Sequence, residues 1–254
     1  MSTVAARTPD LDHVRWHDLE CGGYTADLEF WKALAAEHAP AGGDRRVLDI
    51  GCGTGRVALP LAAAGHRTLG TDIDAVFCAE LDRRASARGL PVTVAVANAC
   101  ALDLGERFGL IAVPMQTVQL LPGSAGRRAM LAGIRRHLAP NGVVGIAIVE
   151  QVEPFGPEDA VGLAPDMKDF GGTVYASRPV GVTIVDGRIA LDRVREVVEP
   201  SGHRDQTTDR TLLEILDMAT LEAEATAAGL RVLPRAEIAA TSEHVGSQVV
   251  MLGA

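Results

Sequence analysis

The sequence predicts an α/β chain: an open, doubly wound sheet of seven mostly parallel strands, with a helical cap before it and a β-ribbon lid inserted into it. Three observations lead there. Between residues 45 and 150, short apolar runs alternate with stretches of helical spacing, as expected of strands buried on both faces by crossover helices. The first run leads straight into glycines at 51, 53 and 55, where bare backbone turns from strand to helix. From Gln151 to about Arg210 the period is lost, except in one alternating stretch around Asp186-Gly187, a dipeptide that favours a hairpin turn.

Four parts follow: a cap over residues 1–44, a core over 45–150, the insertion over 151–211, and a return to the core over 212–254. Residues 1–12 are small and polar and read as frayed. From Val14 to about His38 the spacing of Trp16, Leu19, Leu28, Trp31, Leu34 and Ala35 predicts two helical pieces, broken at Cys21-Gly22-Gly23. After a linker at 40–46, RRVLDI (45–50) is the first strand and VALPLAAAG (57–65) its helix. RTLGTD (67–72), a helix over 75–89 closed by Gly89, and PVTVAVAN (91–98) continue the alternation. FGLIAVP (108–114) is a fourth strand stopped by Pro114, residues 125–140 a helix with Pro140 past its end, and NGVVGIAIVE (141–150) a fifth strand. VGVTIVDGRIALDRVREVV (180–198) is the ribbon of the insertion. TLEAEATAAGL (220–230) returns to helix, and 231–239 with 245–254 supply two closing strands.

Composition narrows the function classes. With 47% hydrophobic and 22% charged residues the 254-residue chain has an ordinary globular core, which excludes wholesale disorder. A net charge of −9 argues against a partner that is a polyanion, so no nucleic acid and no membrane surface is expected. The run RRAMLAGIRR (127–136) lacks aromatic neighbours and a basic surround and reads as a solvated helix face. Cys21, Cys52, Cys78 and Cys100 form no CxxC pair and match no His spacing, so they read as small core residues of a reducing compartment, with no metal site. Neither a signal-peptide run nor a membrane-length apolar run is present, and a cytoplasmic protein is expected.

The densest chemistry lies in VLDIGCGTGRVALPLA, residues 47–62. Glycine backbone at the carboxyl end of a strand admits a ligand without Cβ obstruction, and Asp72, 21 positions after Gly51, stands where an acid can accept hydrogen bonds from ribose hydroxyls. The spacing is GxGxG, not the GxGxxG that packs a helix N-terminus against a dinucleotide pyrophosphate, which argues against a nicotinamide oxidoreductase. Asp49 sits poorly beside a pyrophosphate but well beside an ammonium or sulfonium group.

These residues resemble the class I S-adenosylmethionine-dependent methyltransferases, a Rossmann-like family. Asp49-Ile50-Gly51-Cys52-Gly53-Thr54-Gly55 corresponds to its first motif and Gly70-Thr71-Asp72-Ile73-Asp74 to its second. Asn98-Ala99, Val113-Pro114-Met115 and HLAPNGVVGIAI (137–148) follow in the family's order. The resemblance implies S-adenosyl-L-methionine as cofactor: the glycines wrap its methionine part, Asp72 holds the ribose, Ile73 packs on adenine and Asn98 reaches the adenine edge, with Ala99 and Met115 at the same site. Asn98 stands where the family often has Asp, and its carbonyl can still accept from the adenine amino group. YTADLEFW (24–31) is similar to cap segments of small-molecule methyltransferases in which a tyrosine reaches the cofactor's carboxylate. Tyr24 is either that residue or, like Trp16 and Trp31, an aromatic anchor of the cap.

Methyl transfer is an in-line displacement in which the enzyme mainly aligns a nucleophile within about 3 to 3.5 Å of the methyl. A base helps where the acceptor is a hydroxyl or a protonated amine, and histidine is the usual one. Of His13, His17, His38, His66, His137, His203 and His244, most read as surface or capping residues. His244, between the two closing strands, faces the carboxyl edge by family topology, and Glu150 ends the fifth strand in a similar position; His17 and Glu20 in the cap come after them. Gln116 and Gln119, after the fourth strand, either orient an acceptor or cap a helix. The expected function is methylation of a small, partly apolar metabolite in natural-product tailoring, an indole-type aromatic carbon being one acceptor to test, with the insertion closing over it and a monomeric or homodimeric enzyme. The alternative is a non-catalytic module that binds S-adenosylmethionine or S-adenosylhomocysteine.

Overall fold

In the computed structural model, which describes residues 7–44, 46–241 and 244–254, the chain divides into two units, 24–150 with 216–254 and 1–23 with 151–215. The N-terminal segment is thereby shared between them. Each unit is built on its own sheet.

The larger unit holds β1 (Val47–Ile50), β2 (Thr68–Asp72), β3 (Val92–Val96), β4 (Phe108–Val113), β5 (Leu138–Ile148), β10 (Arg231–Val232), β11 (Ala236–Ile238) and β12 (Ser247–Gly253). Their order is β10-β12-β5-β4-β1-β2-β3, with β11 also paired to β12. The five central strands are mutually parallel, and β12 runs antiparallel to β5. Strand order reverses at β1, so the turn after β1 opens at the switch point of the sheet, where ligands of open α/β folds bind. All residues of β1 and β4 are buried because helices cover both faces. On one face Leu48, Ile50, Ile111, Val144 and Ile146 pack with Met130, Leu131 and Ile134 of α5 (Gly123–His137) and Leu221 of α6 (Met218–Ala227). On the other, Val47, Leu110, Ala112 and Ala147 pack with Trp31 and Ala35 of α2 (Leu28–His38) and Leu61 of α3 (Ala58–Ala63). A Cβ on Gly145 would lie 2.8 Å from the Trp31 ring, so glycine in β5 is what lets the indole approach the sheet this closely. Helix α4 (Ala75–Ala87) links β2 and β3.

Several boundaries differ from the expected ones. Pro234 removes a backbone donor, and the closing strand expected over 231–239 is two short pieces, β10 and β11. The helix expected to reach Pro140 stops at His137, and β5 begins at Leu138, with the register shifting between Phe108 and Leu110 opposite it. His66 and His137, expected at the surface or as caps, are buried: the His66 ring bonds the Ala39 carbonyl and the His137 ring bridges backbone of the 102–106 loop. Arg127, expected on a solvated face, is buried in a two-pronged ion pair with Glu224 of α6.

In the smaller unit the expected ribbon is the middle of a four-stranded antiparallel sheet: β6 (Asp166–Phe170), β7 (Thr173–Val185), β8 (Arg188–Val198) and β9 (Arg204–Glu214). Asp186 and Gly187 both have positive φ, 50° and 72°, the conformation a two-residue hairpin turn requires. Helix α1 (Pro9–Glu20) packs on this sheet. Its N-cap is Thr8, whose hydroxyl accepts from the Leu11 N–H at 3.3 Å, so residues 9–12 are helical instead of frayed, while residues 1–6 lie outside the described residues. Trp16 meets the fully buried Tyr175 edge-on at 4.9 Å, and Arg15 donates to the Tyr175 hydroxyl at 2.9 Å. No helix among the described residues is long and apolar enough to cross a membrane.

Candidate active site

Beyond Ile50 the backbone turns sharply through Gly51, Gly53 and Gly55, all at positive φ (73°, 52° and 100°). A Cβ on Gly51 would lie 2.4 Å from the Thr117 methyl, and one on Gly55 2.4 Å from Leu81. These glycines are demanded by both backbone conformation and close packing. The loop is tied down by the Gly51 and Cys52 N–H groups, which donate to the Thr71 carbonyl at 2.8 and 3.0 Å. Asp72, at the end of β2, accepts from the Gly53 N–H at 2.9 Å on one oxygen and from the Asp74 N–H at 2.9 Å on the other. Each oxygen keeps a lone pair for a further donor. Asp74 caps α4 by accepting from Val76 and Phe77, which fixes the short segment between. In that segment Ile73 is 70% exposed, an apolar side chain held in water beside the acid.

Two buried polar groups next to the loop have no partner. Both oxygens of Asp49, which is 1% exposed, lack a hydrogen bond, and the Tyr24 hydroxyl points toward Ser247 without closing one. Burial pushes the Asp49 carboxyl up to about 7; Arg56 and the nearby Ala58 N–H oppose this, while Asp72 and Asp27 add to it. Such groups are costly unless a ligand supplies their partners. Three carboxylates thus share the neighbourhood of one guanidinium, a balance that suits a cationic ligand.

Asp27 and Arg56 were missed in the sequence. Arg56 donates to the two Asp27 oxygens at 2.5 and 2.8 Å and to the Tyr24 carbonyl at 2.9 Å, and its guanidinium lies 5.1 Å from the Tyr24 ring centre. Asp27 also accepts from the Trp31 indole N–H at 2.9 Å. A carboxylate four residues before a tryptophan in YTADLEFW was the available signal.

The remaining candidates fall into two groups. His244 stacks obliquely on Tyr24, ring centres 5.0 Å apart, and its backbone N–H donates to the Thr241 hydroxyl; the intervening Ser242 and Glu243 lie outside the described residues. Met115, half-buried, follows β4 with a left-handed φ of 52°, and Gln116, also half-buried, precedes the turn Thr117–Leu120. Asn98 is exposed, and its side-chain oxygen accepts from the Cys100 N–H at 2.8 Å, capping the short turn Ala99–Ala101. Gln119, by contrast, is fully buried and clamps Val149 at both ends, donating to its carbonyl at 3.1 Å and accepting from its N–H at 2.9 Å. Glu150 is exposed and accepts from the Met218 N–H at 2.7 Å, anchoring the start of α6. In the smaller unit Glu20 takes a two-pronged bond from Arg195 and one from the Ser177 hydroxyl, so it is a structural anchor there.

Residues 47–142 match the family model described as a methyltransferase domain. Cypemycin N-terminal methyltransferase of Streptomyces sp is 28% identical over 194 residues, which cover 74% of this chain and 76% of that protein. Among solved structures, DesVI of Streptomyces venezuelae superposes with a TM-score of 0.73 at 20% identity, covering 98% of this chain and 100% of that one. CalS10 with S-adenosylmethionine bound, an amino pentose methyltransferase from Micromonospora echinaspora involved in calicheamicin biosynthesis, superposes with a TM-score of 0.68 at 20% identity over 99% of each chain. At these identities the two structures share the fold with this chain.

Proposed function

We propose that this chain, whose residues 47–142 match a methyltransferase domain, is a class I S-adenosylmethionine-dependent enzyme that methylates an amine nitrogen of a small, partly apolar natural product. The observation that carries the reading is the buried, unpartnered Asp49 carboxylate beside the glycine turn, in a neighbourhood with more negative than positive charge. A sulfonium amino acid supplies the missing cations. Cypemycin N-terminal methyltransferase is named for an N-terminus and CalS10 for an amino pentose; both acceptors carry an amine, which favours nitrogen over an indole carbon.

When bound, the cofactor supplies a methyl group already activated by its positive sulfur. What the chain's own residues do is hold and align. We assign Asp49 to the ammonium of the methionine part, Tyr24 to its carboxylate, Asp72 to the ribose hydroxyls, Ile73 to one adenine face and the Asn98 amide to the adenine edge. The bare backbone at Gly51, Gly53 and Gly55, with Ala99 and Met115, completes this cradle. An amine attacks only through its lone pair, so a protonated acceptor must first lose a proton; His244 is the side chain we assign to take it. Gln116 is assigned to orient the acceptor. Gln119, with both polar atoms engaged by Val149, and Glu150, with one oxygen on the Met218 N–H, act as positioning residues for the end of β5 and the start of α6.

The test is turnover. Purified protein is incubated with S-adenosylmethionine and a panel of amino-sugar and peptide amines, and S-adenosylhomocysteine release is followed together with the mass of each acceptor. Release matched by one added methyl on nitrogen is expected. Cofactor binding with no release across the panel would overturn the catalytic reading and leave a binding module.

A further inference from the structure

The ion pair Asp27–Arg56 has no place in the chemistry above, yet among the described residues it is the most buried ion pair touching the site. The two side chains are 1% and 8% exposed. Burying both charges is costly unless the geometry satisfies them, and here it does. Asp27 receives two bonds from Arg56 and one from the Trp31 indole; Arg56 gives its third to the Tyr24 carbonyl. Trp31 is fully buried against the sheet at Gly145, so the pair is fixed at one end to the core. At its other end it holds the backbone of Tyr24, and the guanidinium lies against the Tyr24 ring. The pair therefore links the residue after Gly55 to the segment that presents the unpartnered Tyr24 hydroxyl.

Charge gives the pair a second effect. Arg56 is the one cation acting on Asp49 among the influences resolved there. Engaged by Asp27, it leaves Asp49 without an ion-pair partner of its own. Released from Asp27, it is free to neutralise Asp49 and so compete with a ligand ammonium.

Building on the methyltransferase reading, we propose that Asp27 and Arg56 form a latch that selects the zwitterionic amino-acid end of the cofactor, holding the Tyr24 hydroxyl out for its carboxylate while keeping Arg56 away from Asp49. Both residues are positioning residues. The latch acts on the amino-acid end alone and leaves the adenosine end, at Asp72 and Ile73, unaffected.

Two ligands separate these ends: S-adenosylhomocysteine, which carries the amino-acid part, and 5′-methylthioadenosine, which lacks it. Their affinities are measured by calorimetry for the wild type, Tyr24→Phe, Asp27→Asn and the double variant. The charge-neutral pair Asp27→Asn/Arg56→Gln, which leaves no buried charge unpaired, is the second route to breaking the latch. Each single change is expected to weaken S-adenosylhomocysteine about tenfold, one hydrogen bond's worth, and to leave 5′-methylthioadenosine unchanged. Tyr24→Phe and Asp27→Asn together are expected to cost less than the sum of the two single losses, because the part of the latch that acts through Tyr24 is counted only once. Equal losses for both ligands, additive losses in the cycle, or no loss in either latch variant would overturn the latch. A wild type that binds neither ligand would instead remove the methyltransferase reading beneath it.

Discussion

Asp49 is where the physics of the site is most exposed to test. Its carboxyl ordinarily titrates near 3.8 and burial raises it to about 7 in the folded chain. A raised acid means the folded state holds a proton that the unfolded state has released between these values, so this group contributes a loss of stability as pH rises from about 4 to 7. The full effect, on the order of 4 kcal/mol, is present above pH 7. The ligand-free protein is therefore expected to unfold more readily at pH 7.5 than at pH 5 in urea titrations, with Asp49→Asn flattening the trend; a steeper slope in that variant would contradict the assignment. Binding of an ammonium favours the ionised form, so stabilisation by S-adenosylhomocysteine grows over the same interval. If Asp72 holds the ribose as proposed, Asp72→Ala is expected to weaken the cofactor by roughly 1.5 to 3 kcal/mol in calorimetry. The glycine turn and the places of Asp49 and Asp72 beside it were legible because strand, turn and acid follow one another at fixed spacing. Asp27 and Arg56 were not, because their pairing joins positions 29 apart through a helix packed on the sheet, and nothing in local periodicity encodes that. Gln119 and Glu150 looked like acceptor groups because the sequence gives their place at the sheet edge but not the backbone groups they serve.

At the scale of elements, legibility followed burial. VLDI and FGLIAV are covered on both faces and read as continuous apolar runs. Strands β6 and β9 went unread because DMKDF and the first half of RDQTTDRTLLE are exposed, so no alternation marks an inner face. The turn between β7 and β8 was legible from Asp186-Gly187 alone. There a Cβ on Gly187 would meet nothing within 4 Å, so Gly187→Ala probes backbone conformation without a clash. Its φ of 72° is expected to cost about 1 kcal/mol, read as a lower urea midpoint with an unchanged slope. A neutral substitution would mean the turn relaxes to another type. The α5–β5 boundary differs for a simpler reason: Pro140 reads as a stop after a helix but sits within β5, where the register against β4 is already irregular.

For the whole molecule, the doubly wound parallel sheet follows from the sequence's buried apolar runs, whereas of the second, four-stranded antiparallel sheet only the central hairpin was legible. The parallel strands bury both faces, and the 151–215 segment returns to an alternating or polar pattern. A net charge of −9 is consistent with a chain that collects carboxylates around one cofactor site. Everything claimed for function rests on the turn 51–55, with Asp49, Asp72 and Tyr24 around it, embracing one adenosyl amino acid. The most direct measurement is a crystal structure of the protein with S-adenosylhomocysteine. The account expects the ligand's ribose hydroxyls on Asp72, its ammonium on the Asp49 side and its carboxylate on the Tyr24 hydroxyl. A ligand lodged elsewhere in the chain, with Asp49 and Tyr24 still unpartnered, would contradict it.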